Sequence, residues 1–184
     1  MSNDKLIRQQ VGLLVIDVQE KLFPHVENSC HVIQAIQKAV RGFQILSLPV
    51  FVTEQYPQGL GRTVAPLKGI LGESQHYYVK TTFSCLDDPH IKETFQAQSI
   101  TQWILVGIEA HVCVLQTAKD LLASHKQVII LNDAISSRSI YDFSTAIAEL
   151  RDCGARISST ETVLFELLRD SQAAEFKEIS QLIK

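Results

Sequence analysis

At 184 residues with 46% hydrophobic content, the chain can bury one substantial core, and a single domain over 1–184 is the expectation. A formal net charge of −3 argues against a nucleic-acid partner, because phosphate binding needs clustered Lys and Arg. No apolar run approaches the roughly 20 residues that cross a bilayer, and the polar N-terminus MSNDKLIRQQ lacks the apolar core of a signal peptide, so no membrane partner and a cytoplasmic location are expected.

Taken in chain order, strand and helix patterns alternate. VGLLVI (11–16) is a continuous apolar run, as a strand covered on both faces requires. Val32, Ile33, Ile36, Val40, Phe43 and Leu46 then recur with a helical period over 28–47, with Asn28 or Ser29 as cap. VFVTE (50–54) is the second strand, and 57–72, rich in Gly and Pro, reads as a loop leading to a third, HYYVKT (76–81). Asp87 or Asp88 followed by Pro89 opens a helix over 89–98. WILVGI (103–108) is the fourth strand, and its helix runs to about Ser124. QVIILND (127–133) is the fifth, 140–153 a helix ended by Gly154, and ARISS (155–159) the sixth strand. A last helical region follows Ser158-x-x-Glu161, which has capping-box spacing. Such alternation implies an α/β fold: a three-layer α/β/α sandwich around a six-stranded parallel sheet, doubly wound and Rossmann-like.

In folds of this kind sites gather beyond the carboxyl ends of the strands. Those ends carry Asp17 in VIDVQ, Glu54 in VTEQY, Lys80 in YVKTT, the stretch GIEAHVC, and Asp133 in LNDA. Any one of them alone reads sooner as a loop or helix cap than as a catalytic group. No glycine-rich phosphate fingerprint follows the first strand and no GxxxxGK[ST] occurs, which speaks against dinucleotide and P-loop chemistry. A paired-aspartate phosphatase also fits poorly, since position 19 is Gln. The four cysteines, Cys30, Cys85, Cys113 and Cys153, form no CxxC pair and no zinc-type spacing, so free thiols are expected.

Cys113 stands apart because it falls where a strand turns into a helix. Backbone N–H groups and the helix dipole there favour a thiolate, and the same N–H groups can hold an oxyanion. Asp17 and Lys80, at other strand ends, offer a base and a cation for such a nucleophile. His111 is a rival base, with no carboxylate near it in sequence to orient it.

Together these residues resemble the isochorismatase-like cysteine hydrolases. The resemblance rests on IDVQ at the first strand end, Lys80 after the third strand, and GIEAHVCV (107–114) after the fourth, and it covers Val11 to about Leu168. With TEQYPQGLG (53–61) and DAISSRS (133–139), these segments resemble the isochorismatase domain-containing branch. The resemblance implies the strand order 3-2-1-4-5-6 and a catalytic triad of Asp17, Lys80 and Cys113. It also implies a non-proline cis peptide joining Ile108 to Glu109, and an oxyanion hole made by the backbone N–H groups of Glu109 and Cys113. A homo-oligomer acting on a small-molecule substrate is implied as well. Metal-dependent nicotinamidases of this superfamily carry Asp-x-His and a further His after the second strand. TEQYPQGLGRT has no histidine, so no catalytic metal is expected, and no cofactor is implied.

True isochorismatases cleave a vinyl ether and generally lack the cysteine, so Cys113 favours acyl transfer. The expected reaction is hydrolysis of a small amide-type C–N substrate through a thioester on Cys113, with Asp17 as base and Lys80 as its electrostatic partner. Phe23, Glu54, Gln55, Tyr56 and Phe83 are candidate wall residues; Phe23 and Phe83 read equally as core packing, and Glu54 as a loop cap. SSRS (136–139) reads as a turn with a satisfied arginine. Three other readings stand beside this one: a non-catalytic oligomeric scaffold or binding protein, vinyl-ether hydrolysis, and thiol redox chemistry with Cys85 approaching Cys113.

Overall fold

Two strands form the centre of the sheet because their sequences tolerate burial on both faces. Every residue of β1 (Val11–Ile16) and β4 (Gln102–Ile108) is buried, as runs of Val, Leu and Ile permit. They pair in parallel, with Leu14 opposite Leu105 and Ile16 opposite Gly107. β2 (Val50–Gln55) and β3 (Tyr77–Lys80) extend the sheet on one side, β5 (Gln127–Ser136) and β6 (Arg156–Ser158) on the other. The result is one parallel sheet in the order β3-β2-β1-β4-β5-β6, whose winding reverses between β1 and β4. This computed structural model describes residues 5–184; the first four positions of the polar N-terminal stretch lie outside the described residues.

Side chains alternate along a strand, so β1 serves two cores. Leu13 and Val15 join the core under α1 (Ser29–Ile45), which holds Ile36, Val40 and Phe43. Leu14 and Ile16 join the opposite one, with Trp103 and Leu105. α2 (Pro57–Leu60) and α3 (Ala65–Leu71) follow β2, and α4 (Pro89–Gln96) follows β3. α4, α5 (Leu115–Ala123) and α6 (Ile140–Asp152) cover the second core through Ile91, Ala118 and Leu150. α7 (Thr160–Leu168) and α8 (Phe176–Ile183) return to the first, through Val163, Leu164 and Ile179. At about 1.5–3 kcal/mol for each large aliphatic side chain buried, the two cores are the main force holding the layers together. Among the described residues, no helix is long and apolar enough to cross a membrane.

Several boundaries differ from the sequence expectation, each for a local reason. Neither Asn28 nor Ser29 caps α1 with its side chain; Asn28 is left-handed (φ 53°), and its carbonyl accepts the N–H groups of His31 and Val32. Of the two aspartates before Pro89, Asp88 caps α4, accepting from His90 and Ile91 at 3.0 and 3.1 Å. Ser158 ends β6, so the cap of α7 is Ser159, whose hydroxyl accepts the Thr162 N–H. The edge strands β3 and β6 are each one residue shorter at both ends than expected, while β5 continues past Asp133 to Ser136. The 57–72 segment is not a bare loop: Pro57 and Pro66 stand in the first turns of α2 and α3, where a missing N–H costs nothing.

Candidate active site

The site forms where the sheet reverses, because three strand ends converge there. Gly107 makes the close approach of β4 to β1 feasible. Its φ is +121°, and a Cβ would lie 2.1 Å from the Ile16 carbonyl oxygen, so no other residue fits. The next peptide bond, Ile108–Glu109, is cis. The chain then makes a π-helical turn, Ala110–Val114, in which the Glu109 carbonyl accepts from Val112 and Val114, before α5 begins. Cys113 therefore sits in a widened turn ahead of the α-helix and not in its first turn.

Asp17 follows β1 in a left-handed conformation (φ 52°) and is fully buried. Lys80, at the end of β3 and 1% exposed, reaches across β2 to place Nζ 2.6 Å from Asp17 Oδ2. Lys80 also donates to Gln55 Oε1 at 2.7 Å and to the carbonyls of Thr82 and Phe83, each at 3.1 Å. Its three N–H groups thus have four protein acceptors. Burial, the largest single effect, works to lower the ammonium's pKa, but the Asp17 carboxylate and, after it, Cys85 and Cys113 together raise the value above the ordinary lysine range. Thr53 of β2 donates to the other Asp17 oxygen at 2.7 Å.

The Asp17 carboxylate also acts on the buried Cys113 thiol. Burial foremost, then the Asp17 carboxylate, push the thiol far above its ordinary pKa against the pull of Lys80. The thiolate expected from the helix terminus is therefore not the resting form. A terminal dipole is worth about 0.3–1 kcal/mol, whereas withdrawing a charge from water costs several.

A cleft of about 330 Å³ opens on Cys113. Leu22, Leu60, Phe83 and Val112 supply its apolar wall, and Gln55, Glu109 and Arg138 its other polar groups. A larger hollow, about 600 Å³ between α1, α3 and α8, includes Arg41 and Glu178 but no nucleophile.

Of the wall candidates, the structure brings Phe83 and Gln55 to the cleft. Glu54 turns away: its carboxylate accepts from the Thr63 N–H and hydroxyl at 2.7 and 2.9 Å and from Arg62 at 3.0 Å. Burial works to raise its pKa, but these partners hold it below its ordinary value, and Glu54 is a loop clasp. Phe23 packs against the α1 core. Tyr56, 53% exposed, lies over Gly59, outside the cleft lining.

His111 hydrogen-bonds the Ser137 hydroxyl at 2.9 Å and stands 3.5 Å from Glu109 Oε2, so it does have carboxylate company, although it does not line the cleft. Arg138 does line it. Besides the apolar wall residues Leu22, Leu60 and Val112, three polar contributors escaped the sequence reading: Thr53, Arg138 as a cleft residue, and Gln19. Gln19 accepts from the Gln55 N–H and donates to the Gln55 and Gly61 carbonyls, which fixes the end of β2. A polar residue inside or just beyond an apolar strand run was the available signal for Thr53 and Gln19. Among the described residues, no three His, Cys, Asp or Glu side chains converge as a metal site.

A six-stranded parallel sheet in the order 3-2-1-4-5-6, with Asp17, Lys80 and Cys113 buried, has the isochorismatase-like fold. The Isochorismatase domain matches residues 11–162, and the chain belongs to that family. It is 38% identical over 173 residues to isochorismatase domain-containing protein 2 of Bos taurus, covering 94% of this chain and 82% of that protein. A solved structure described as the MAR1 ribonuclease of Caenorhabditis elegans is similar at 38% identity and TM-score 0.91, covering 97% of this chain and 92% of that one. The YcaC gene product of Escherichia coli, described as an octameric hydrolase of unknown specificity, shares the fold at 19% identity and TM-score 0.93, covering 100% and 91%.

Proposed function

We propose that this chain is a cysteine hydrolase that cleaves a small amide-type C–N bond through a thioester on Cys113. The observation that carries the reading is that one buried carboxylate, Asp17, lies 2.6 Å from Lys80 Nζ and acts electrostatically on the Cys113 thiol, which lines the cleft.

Asp17 accepts the thiol proton as sulfur attacks the substrate carbonyl carbon, so nucleophile and base act together and no free thiolate is needed beforehand. Lys80 spends its N–H groups on Asp17, Gln55 and two carbonyls, so it positions Asp17 and balances its charge without donating to substrate. The oxyanion falls to the backbone N–H groups of Glu109 and Cys113. Asp17 then hands the proton to the leaving nitrogen, the C–N bond breaks, and the acyl group remains on sulfur. A water gives its proton to Asp17 as it attacks the thioester. The carbon–sulfur bond breaks, Cys113 takes the proton back, and the acid leaves.

By analogy with the octameric relative, the chain is proposed to assemble as a homo-oligomer. The name of the C. elegans relative raises RNA as a substrate, but a mostly apolar cleft in a chain of net charge −3 supports the small-molecule reading better. The test is a screen of small amides with wild type and Cys113→Ala. Ammonia or amine release that disappears in the variant supports the proposal; release that survives assigns the chemistry to direct water attack.

A further inference from the structure

Among the described residues, Arg138 is the one cation that lines the cleft, and how it is held bears on what the cleft accepts. Its Nε lies 2.6 Å from Glu109 Oε1, without hydrogen-bond alignment. The Glu109 side chain is only 7% exposed, and its other oxygen faces His111 at 3.5 Å. Glu109 is thus covered by the protein and anchors the arginine near its stem. The Arg138 side chain is 64% exposed, and among the described residues its two terminal nitrogens make no hydrogen bond. An arginine fixed through Nε offers that terminal pair as a planar fork, which matches a carboxylate.

The rest of the cleft limits the ligand's size and middle. At about 330 Å³, and allowing each non-hydrogen atom roughly the ~30 Å³ of a water, it takes on the order of ten such atoms. Leu22, Leu60, Phe83 and Val112 suit a short aliphatic segment. Lys80 is matched by Asp17, and Glu109 by Arg138. An anion is therefore met by directed N–H groups and not by a net positive field.

We propose that Arg138 determines specificity by binding a carboxylate at one end of a short aliphatic amide whose other end is cleaved at Cys113. This rests on the cysteine-hydrolase reading for the reaction, but not for the binding.

The test compares glutaramic acid with pentanamide, a neutral amide of the same chain length, and with 5-aminopentanamide. Wild type should favour glutaramate, and Arg138→Met should lower kcat/KM for it by about 10- to 100-fold, mainly through KM, leaving pentanamide nearly unchanged. Arg138→Lys, which keeps the charge and loses the fork, should fall between. Calorimetric binding of glutaramate to Cys113→Ala protein, with and without Arg138→Met, reads the same subsite without turnover. Binding that depends on Arg138 in the absence of any turnover would sink the hydrolase reading and keep the subsite. Equal losses for both amides would make Arg138 merely the counter-ion of Glu109 and overturn the proposal. So would a preference for the neutral or amino amide, or failure of glutaramate either to bind or to react.

Discussion

At the scale of single residues, Asp17 ties two opposed effects together. Its charge is one of the causes that raise the Cys113 thiol, and Lys80 pulls the other way. In Asp17→Asn, that pull loses its opponent, so thiolate should form at lower pH than in wild type, as followed by ultraviolet absorbance against a Cys113→Ala background. Turnover should nevertheless fall by about 10²–10⁴-fold, because the proton acceptor is gone. A variant with a more acidic thiol and undiminished turnover would show that thiolate population, not a positioned base, limits the rate. Asp17 and Lys80 stood out in the sequence because each stands at a strand end, and Cys113 because it falls between a strand and a helix; the family resemblance grouped the three. For Glu54 a loop cap and for Arg138 a satisfied arginine were among the readings, but their partners were not legible, since Glu54 is fixed by Arg62 and Thr63, and Arg138 by a glutamate on another strand's turn.

At the scale of elements, the corner after β4 sets the site. Gly107 lets β4 lie against β1 at Ile16, and the π turn that follows carries Cys113 toward Asp17. Gly107→Ala would place a methyl 2.1 Å from the Ile16 carbonyl at a φ of +121°. It should cost at least about 2 kcal/mol by urea unfolding and lower turnover by displacing Cys113. An unchanged denaturation midpoint would mean that the corner has other ways to close. Sequence periodicity placed β1 and β4 to within a residue, because buried parallel strands are continuous apolar runs. It missed the π turn, whose residues AHVCV carry no pattern that separates it from an α-helix, and it missed α2 and α3, whose prolines read as breakers when they are starters.

For the whole molecule, a sheet that must bury reactive groups at its reversal becomes sensitive to alkali. Burial pushes the fully enclosed Cys85 thiol from 9.0 up to about 11, and Cys113 and Lys80 are raised as well. All three hold their protons more tightly folded than unfolded. The stability they lend is complete below the unfolded values and is lost as pH climbs through the folded ones. Stability should therefore decline from pH 9 upward, by about 2–3 kcal/mol from Cys85 alone by pH 11. In Cys85→Ala the slope of stability against pH over that window should flatten, whatever constant loss the smaller side chain adds; an unchanged slope would remove Cys85 from the account. The strand order followed from family resemblance and not from periodicity, which says nothing about which strands are neighbours, and on that order depends Lys80 reaching Asp17. The proposed reaction requires a covalent bond to one sulfur. The most direct measurement is acid quench of the protein during turnover of a small amide, followed by intact-mass and peptide mapping. An acyl group on the Cys113 peptide, absent in Cys113→Ala, is the predicted result; steady turnover with an unmodified Cys113 would contradict it.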